Sequence, residues 1–148
     1  MSTQPPAPEY IEPADLARLL KDPCLRLGKD LVIIDVRGDD FEHGNIAGCV
    51  NIPAQQFLDR PMAYVERFEG VPKVIFHCAL SQVRGPKCAT RYYSALMQGL
   101  QDMANKHEIL PQQVLILRGG FDAFQRANRN DPKLLENFNQ VFWDNPEF

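Results

Sequence analysis

Three short runs of continuous apolar residues punctuate the chain: Leu31-Val32-Ile33-Ile34, Val74-Ile75-Phe76 and Val114-Leu115-Ile116-Leu117. Continuous rather than alternating apolarity marks strands covered on both faces, as in a parallel sheet with helices on each side. Between the runs the apolar spacing changes to three and four. From Pro86 to Met103, the positions Cys88, Tyr92, Ala95, Leu96, Gly99, Leu100 and Met103 form one stripe, which predicts an amphipathic helix of about five turns. A shorter helix is predicted from Glu12-Pro13-Ala14-Asp15, with proline in its first turn, Leu16, Leu19 and Leu20 as its apolar face, and Lys21-Asp22-Pro23 as its end. Others are predicted at Asp39 to Glu42, from Gln55 to Phe68 with a break at Pro61, and from Asp122 to Ala127. Tyr10-Ile11 and Cys49 to Ile52 read as further short strands, joined to the rest by the turn-rich stretch His43 to Gly48. Leu134, Leu135, Phe138, Val141, Phe142 and Trp143 make the tail too apolar to stay in water, so it is expected to pack back on the domain. Strands alternating with helices predict an α/β domain built on a mostly parallel central sheet of about five strands. Residues 1–8 are proline-rich and read as a flexible N-terminus, leaving 9–148 as the folded domain.

Composition narrows the function classes. At 148 residues and 45% hydrophobic content, the chain can bury one core without staples. A net charge of −3 gives no global basic field for nucleic acid. No apolar run approaches the roughly 20 residues that span a bilayer. The opening MSTQPPAPEY lacks the basic and apolar regions of a secretory signal, so an intracellular protein of cytoplasm or nucleus is expected. The four cysteines, Cys24, Cys49, Cys78 and Cys88, form no C-x-x-C pair, so no metal is expected and free thiols are. His43 has no second ligand at metal spacing and reads as a hydrogen-bonding loop residue. Asp35 and Arg37, at the sheet edge after Ile34, read as a structural pair.

The candidate chemistry lies in KVIFHCALSQVRGPKCA, Lys73 to Ala89. A strand ends at His77 and Cys78, five residues follow (Ala79, Leu80, Ser81, Gln82, Val83), and Arg84-Gly85-Pro86 opens the long helix. A loop curled at a helix start aims several backbone N–H groups at one point, and the helix end adds positive potential. A phosphate-like group fits that cup, and the Arg84 guanidinium can fork two of its oxygens. Cys78 lies beneath, where the same donors favour a thiolate nucleophile. Cys88, one turn into the helix, continues the apolar stripe and reads as a core residue rather than a redox partner of Cys78.

Ile34-Asp35-Val36-Arg37, His43 to Pro53, the Cys78 loop and Leu117-Arg118-Gly119-Gly120-Phe121 together resemble the rhodanese-like domain over about residues 10 to 128. Within that superfamily, His77-Cys78-x5-Arg84-Gly85-Pro86 resembles the cell-division-cycle-type dual-specificity phosphatases and the small eukaryotic arsenate reductases, above all their short single-domain fungal members. The resemblance implies that Cys78 is the nucleophile and that the Arg84 side chain and the backbone N–H groups of Ala79, Leu80, Ser81, Gln82, Val83 and Arg84 bind the oxyanion. It also implies that His77, Ser81 and Gly85 order the loop, with the Ser81 hydroxyl available to bond the sulfur or the substrate, and that Gly119-Gly120 is a packing turn beside it. Sulfur-transferring rhodaneses have a shorter loop; seven residues from Cys78 to Arg84 suit a tetrahedral phosphate or arsenate. The chain departs from typical cell-cycle phosphatases in having Ala79 and Val83 where acidic loop residues stand, and Val36 where a protective second cysteine stands.

The leading expectation is a metal-free, cofactor-free phosphatase acting on phosphotyrosine-type monoesters through a phosphocysteine, with a phosphoprotein as substrate. Asp122 and Asp35 are the candidate general acids. The alternative is arsenate reduction on the same loop, with a small oxyanion as substrate and glutathione and glutaredoxin supplying thiols. A non-catalytic interaction domain fits less well, because both Cys78 and Arg84 are present.

Overall fold

The computed structural model describes residues 7–103 and 112–146. All of the expected N-terminal arm except its last two residues lies outside that set, as does the side chain of Met103. The apolar runs form the strands β2 (Leu31–Asp35), β5 (Lys73–His77) and β6 (Gln113–Leu117). Two short strands, β1 (Glu9–Ile11) and β4 (Val50–Asn51), complete a five-stranded sheet in the order β1-β6-β5-β2-β4, with every pairing parallel. Parallel neighbours need crossover connections, and α-helices supply all of them except that from β2 to β4.

Those helices divide between the two faces, and the side-chain alternation of the strands follows them. Val32, Ile34, Val74, Phe76, Val114 and Ile116 point to one face, where α2 (Ala54–Asp59), α3 (Pro61–Arg67) and α4 (Arg84–Met103) cover them. Leu31, Ile33, Ile75, Leu115 and Leu117 point to the other, under α1 (Pro13–Lys21), α5 (Gly120–Asn128) and the C-terminal segment. This is the physical reason for continuous apolarity: both faces of each central strand are core.

The boundaries differ from expectation in instructive places. The break at Pro61 is real, and Pro61 starts α3 rather than kinking one helix, since a proline at the first helical position costs no hydrogen bond. The long helix begins at Arg84, two residues before Pro86. The turn-rich stretch after Arg37 contains a short 3-10 helix (Asp39–His43) and a strand, β3 (Asn45–Ile46), which pairs antiparallel with β7 (Leu135–Glu136). The tail packs back as expected through Leu134, Leu135 and Trp143, and ends in α6 (Gln140–Asp144). Val141 is the exception, 77% exposed on the outer side of α6. Among the described residues no helix is long and apolar enough to cross a membrane.

Candidate active site

β5 ends at His77 at the carboxyl edge of the sheet, where parallel α/β sheets gather their ligands. The loop from Cys78 to Arg84 then curls onto the N-terminus of α4. Among the described residues, the backbone N–H groups of Ala79 to Val83 donate to no other group. They are therefore available to an oxyanion at the positive end of a 20-residue helix. Ser81 holds the curl with a φ of 52°, and its hydroxyl accepts the Cys78 N–H at 3.4 Å. The hydroxyl thus supports the loop and is not bonded to the sulfur. Gly85 donates its N–H to Cys78 Sγ at 3.3 Å. A Cβ there would stand 3.2 Å from His77 Cα and 3.3 Å from Cys78 N, so any side chain would push the helix start and the strand end apart by a few tenths of an ångström.

The loop is fastened from the opposite side by α5. Phe121 N–H donates to Cys78 O at 3.0 Å and Asp122 N–H to Ala79 O at 2.9 Å. Gly119 and Gly120 make this approach, with φ of 74° and 62°, and a Cβ on Gly120 would sit 2.5 Å from Cys78 O. The double glycine is the packing turn expected from the sequence.

Below the loop lies a buried polar brace. Arg37 donates through Nη2 to Asp35 Oδ2 at 2.6 Å and through Nε to the same carboxylate at 3.0 and 3.1 Å. It also reaches the carbonyls of Gly44 (2.8 Å) and Asp40 (3.3 Å) and stacks over Phe121 at 4.7 Å. Both side chains are fully buried. Asp35 and Arg37 thus tie the end of β2 to the 3-10 turn and to α5, a structural pair as expected. His77, also fully buried, directs Nδ1 to Cys78 O at 3.1 Å. A carbonyl can only accept, so this nitrogen carries the proton. Nε2 is left without a hydrogen-bond partner, 3.6 Å from Asp35 Oδ2. Burial holds the His77 pKa below its ordinary value, despite the nearby carboxylate, so the ring is neutral.

The loop forms one side of an open cleft of about 400 Å³, with Cys78 and Arg84 in its lining. Three further lining residues were not singled out for the site from sequence. Phe142 and Trp143 of α6 supply an aromatic wall beside Leu80 and Val83, the latter 70% exposed at the rim. Asp40, on the 3-10 turn, pairs with Arg84 through two bonds, Nη1 to Oδ1 at 2.9 Å and Nη2 to Oδ2 at 2.6 Å. The pairing draws the Asp40 carboxyl below the usual carboxylate range and holds the Arg84 pKa above its ordinary value.

Neither of the acids considered from sequence reaches the cleft. Asp35 is fully buried against Arg37, and Asp122 faces Arg126 at 3.2 Å and Gln125 at 3.4 Å on its own helix. The carboxylate that the fold does bring to the cleft is Asp40. Its only sequence signal was a position at the sheet's carboxyl edge, three residues after Arg37. Cys88 lies in the core, fully buried, with burial pushing its thiol up to about 12. His43 is likewise structural: its carbonyl accepts from Asn139 N and Trp143 Nε1, and its ring stacks on Phe142 at 3.9 Å.

Comparison with known proteins places this geometry. The model of the rhodanese-like domain matches residues 12–127. A fission-yeast protein named dual specificity phosphatase ibp1 is 32% identical, covering 79% of this chain and 91% of that protein. A rice protein named arsenate reductase 2.2 is 29% identical, over 81% of this chain and 84% of its own length. The solved structure of yeast Ygr203w, described as a protein tyrosine phosphatase of the rhodanese family, superposes with a TM-score of 0.71 at 25% identity. That superposition covers 93% of this chain and 98% of the yeast one.

Proposed function

The chain belongs to the rhodanese-like domain family, and from that premise we propose that it is a cysteine-dependent phosphatase of phosphotyrosine-type monoesters. Its relatives include both phosphatases and arsenate reductases, so the shared part of the reading is a cysteine enzyme acting on a tetrahedral oxyanion. In the proposed reaction the Cys78 thiolate attacks phosphorus in line and the ester oxygen leaves. Water then hydrolyses the phosphocysteine. The unbonded N–H groups of residues 79–83 and the Arg84 guanidinium stabilise the equatorial oxygens as charge develops, a preorganised contribution that is often the largest in such sites. His77, Ser81 and Gly85 hold the loop in that shape, and the chemistry calls for no metal or cofactor.

The observation that carries the ester reading is the wall. Phe142 and Trp143, with Leu80 and Val83, line the same cleft as Cys78 and Arg84. An aryl group on the phosphate, such as a phosphotyrosine side chain of a protein, has an apolar surface to rest on; a bare arsenate has no use for one. Arsenate reduction is the second reading, supported by the names of relatives and by the absence of acids at Ala79 and Val83. Cys88 is too deeply buried to resolve an adduct, so glutathione and glutaredoxin would have to supply the thiols.

The deciding assay pairs phosphate release from an aryl phosphate with arsenite formation from arsenate plus glutathione and glutaredoxin, each against Cys78→Ser. Cys78-dependent phosphate release is expected. Phe142→Ala should raise KM for the aryl ester while leaving inhibition by inorganic phosphate nearly unchanged. Arsenite formation without phosphate release would overturn the proposal in favour of its rival.

A further inference from the structure

A phosphatase of this kind needs a proton for its leaving oxygen, and both acids suggested by sequence are turned away from the cleft. Asp40 is not. Its carboxylate lies in the lining with Cys78, and it occupies both outer nitrogens of Arg84. That bidentate grip is the one a phosphoryl group would make on the same guanidinium. The pair is half-buried at the cleft, with side chains 38% and 40% exposed. Water screens the half of the pair that it reaches, while the incoming dianion brings two charges and is also gathered by the N–H groups of the loop.

We propose that Asp40 is the proton donor of this site, armed when a substrate oxyanion takes Arg84 away from it; the donor role rests on the phosphatase reading. The charged and titratable groups around the carboxylate are few. Arg84 faces it from α4, Arg37 from the end of β2, and Cys78 across the cleft. Asp39, Glu42 and His43 lie on its own turn. In the free enzyme Arg84 holds the carboxyl ionised. Once the dianion has Arg84, Asp40 has lost its main cation and gained a neighbouring anion. Both changes favour the protonated acid, so binding draws one proton from solvent.

The proton then balances the chemistry. Sulfur of the Cys78 thiolate bonds to phosphorus, the phosphorus–oxygen ester bond breaks, and the Asp40 proton passes to the departing oxygen, releasing a neutral alcohol or phenol. In the second step the Asp40 carboxylate takes a proton from water as its oxygen attacks the phosphocysteine. Thiolate, inorganic phosphate and protonated Asp40 result. Departure of phosphate returns Arg84 to Asp40, and the proton leaves.

Two measurements on the whole chain test this. The first is calorimetric binding of sulfate, which does not titrate near neutrality, in buffers of different ionisation enthalpy. It is done in Cys78→Ser so that the thiol cannot contribute. Uptake approaching one proton per sulfate is expected, with none in Cys78→Ser combined with Asp40→Asn. Sulfate affinity should hold or rise in the double variant, which also shows that the cup is folded. The second is turnover of aryl phosphates of graded leaving-group pKa by wild type and Asp40→Asn. The variant should lose about 10²–10⁴-fold on the poorest leaving groups and little on the best. Equal loss across the series with weakened sulfate binding would overturn the donor role and leave Asp40 a brace for Arg84. An unchanged series would overturn it outright. Wild-type turnover without proton uptake would sink the exchange at Arg84 while the phosphatase reading stood. Uptake without any turnover would sink the phosphatase reading while the exchange stood.

Discussion

Gly120→Ala should separate folding from catalysis in this protein more cleanly than any change at Cys78. The Cβ it adds would lie 2.5 Å from Cys78 O, 2.6 Å from Ala79 O and 2.7 Å from Ala79 C. Ordinary contact begins near 3.4 Å, so the loop backbone must recede by about 0.9 Å. That movement stretches the bonds from Phe121 and Asp122 N–H to the same two carbonyls, each worth about 1 kcal/mol. The φ of 62° adds about 1–2 kcal/mol for any residue with a Cβ. The stability loss is therefore about 2–4 kcal/mol, within what a domain of this size survives. The displaced atoms belong to Cys78 and the cup, and a misplacement near 1 Å can cost about 10²-fold in rate. Gly28→Ala is the control, because its positive φ of 88° also strains a residue with a Cβ while nothing lies within 4 Å of the new atom. Urea unfolding and Cys78-dependent phosphate release would be measured on both variants. A folded Gly120→Ala protein with kcat/KM within about threefold of wild type would refute the claim that α5 sets the loop position.

Three further outcomes follow from the buried groups. Asp35→Asn leaves the Arg37 guanidinium in the interior with its partner gone, and should cost about 3–5 kcal/mol in urea unfolding. If Asp35 is only structural, the surviving folded fraction keeps the wild-type leaving-group dependence. Neutral His77 makes stability fall with acid: below its unfolded pKa of about 6.5 the unfolded chain takes up a proton that the native ring refuses, until pH passes the lower folded value. The slope from this group is at most about 1.4 kcal/mol per pH unit. His77→Gln should flatten the unfolding midpoint below pH 6.5, and an unaltered slope would count against a neutral buried ring. Alkylation of the native protein at neutral pH should label exposed Cys24 and spare Cys49 and Cys88, whose thiols are pushed up to about 12. Mass spectrometry of the labelled peptides reads the order.

The sheet and the cup were legible because their signals are local. A both-faces-buried strand writes itself as a continuous apolar run, as Leu31 to Ile34 does. A glycine forced by close approach writes itself as Gly119-Gly120. What could not be read depends on pairs far apart in sequence. Asp40 and Arg84 are 44 residues apart, and nothing beside Asp40 distinguishes it from Asp39. β3 and β7 are two residues each and meet only because the tail returns, Asn45 opposite Glu136. Asp122 was a candidate acid, yet helix geometry turns its carboxylate to Arg126, four residues on. The tail's apolarity was evident, but which side of α6 would face the cleft was not, and Val141 faces water instead.

The return of the tail to His43 has a consequence for how such a protein can diversify. The turn carrying Asp40 is secured by Asn139 N and Trp143 Nε1 on one carbonyl, and the same segment supplies Phe142 and Trp143 to the cleft. The reactive loop is encoded near the middle of the chain and the wall opposite it in the last dozen described residues. Under selection the two can drift at different rates. Changing Phe142 reshapes what rests against the cup while the ties from Asn139 N and Trp143 Nε1 to His43 O stay in place, so the wall can be altered on an unchanged reactive core.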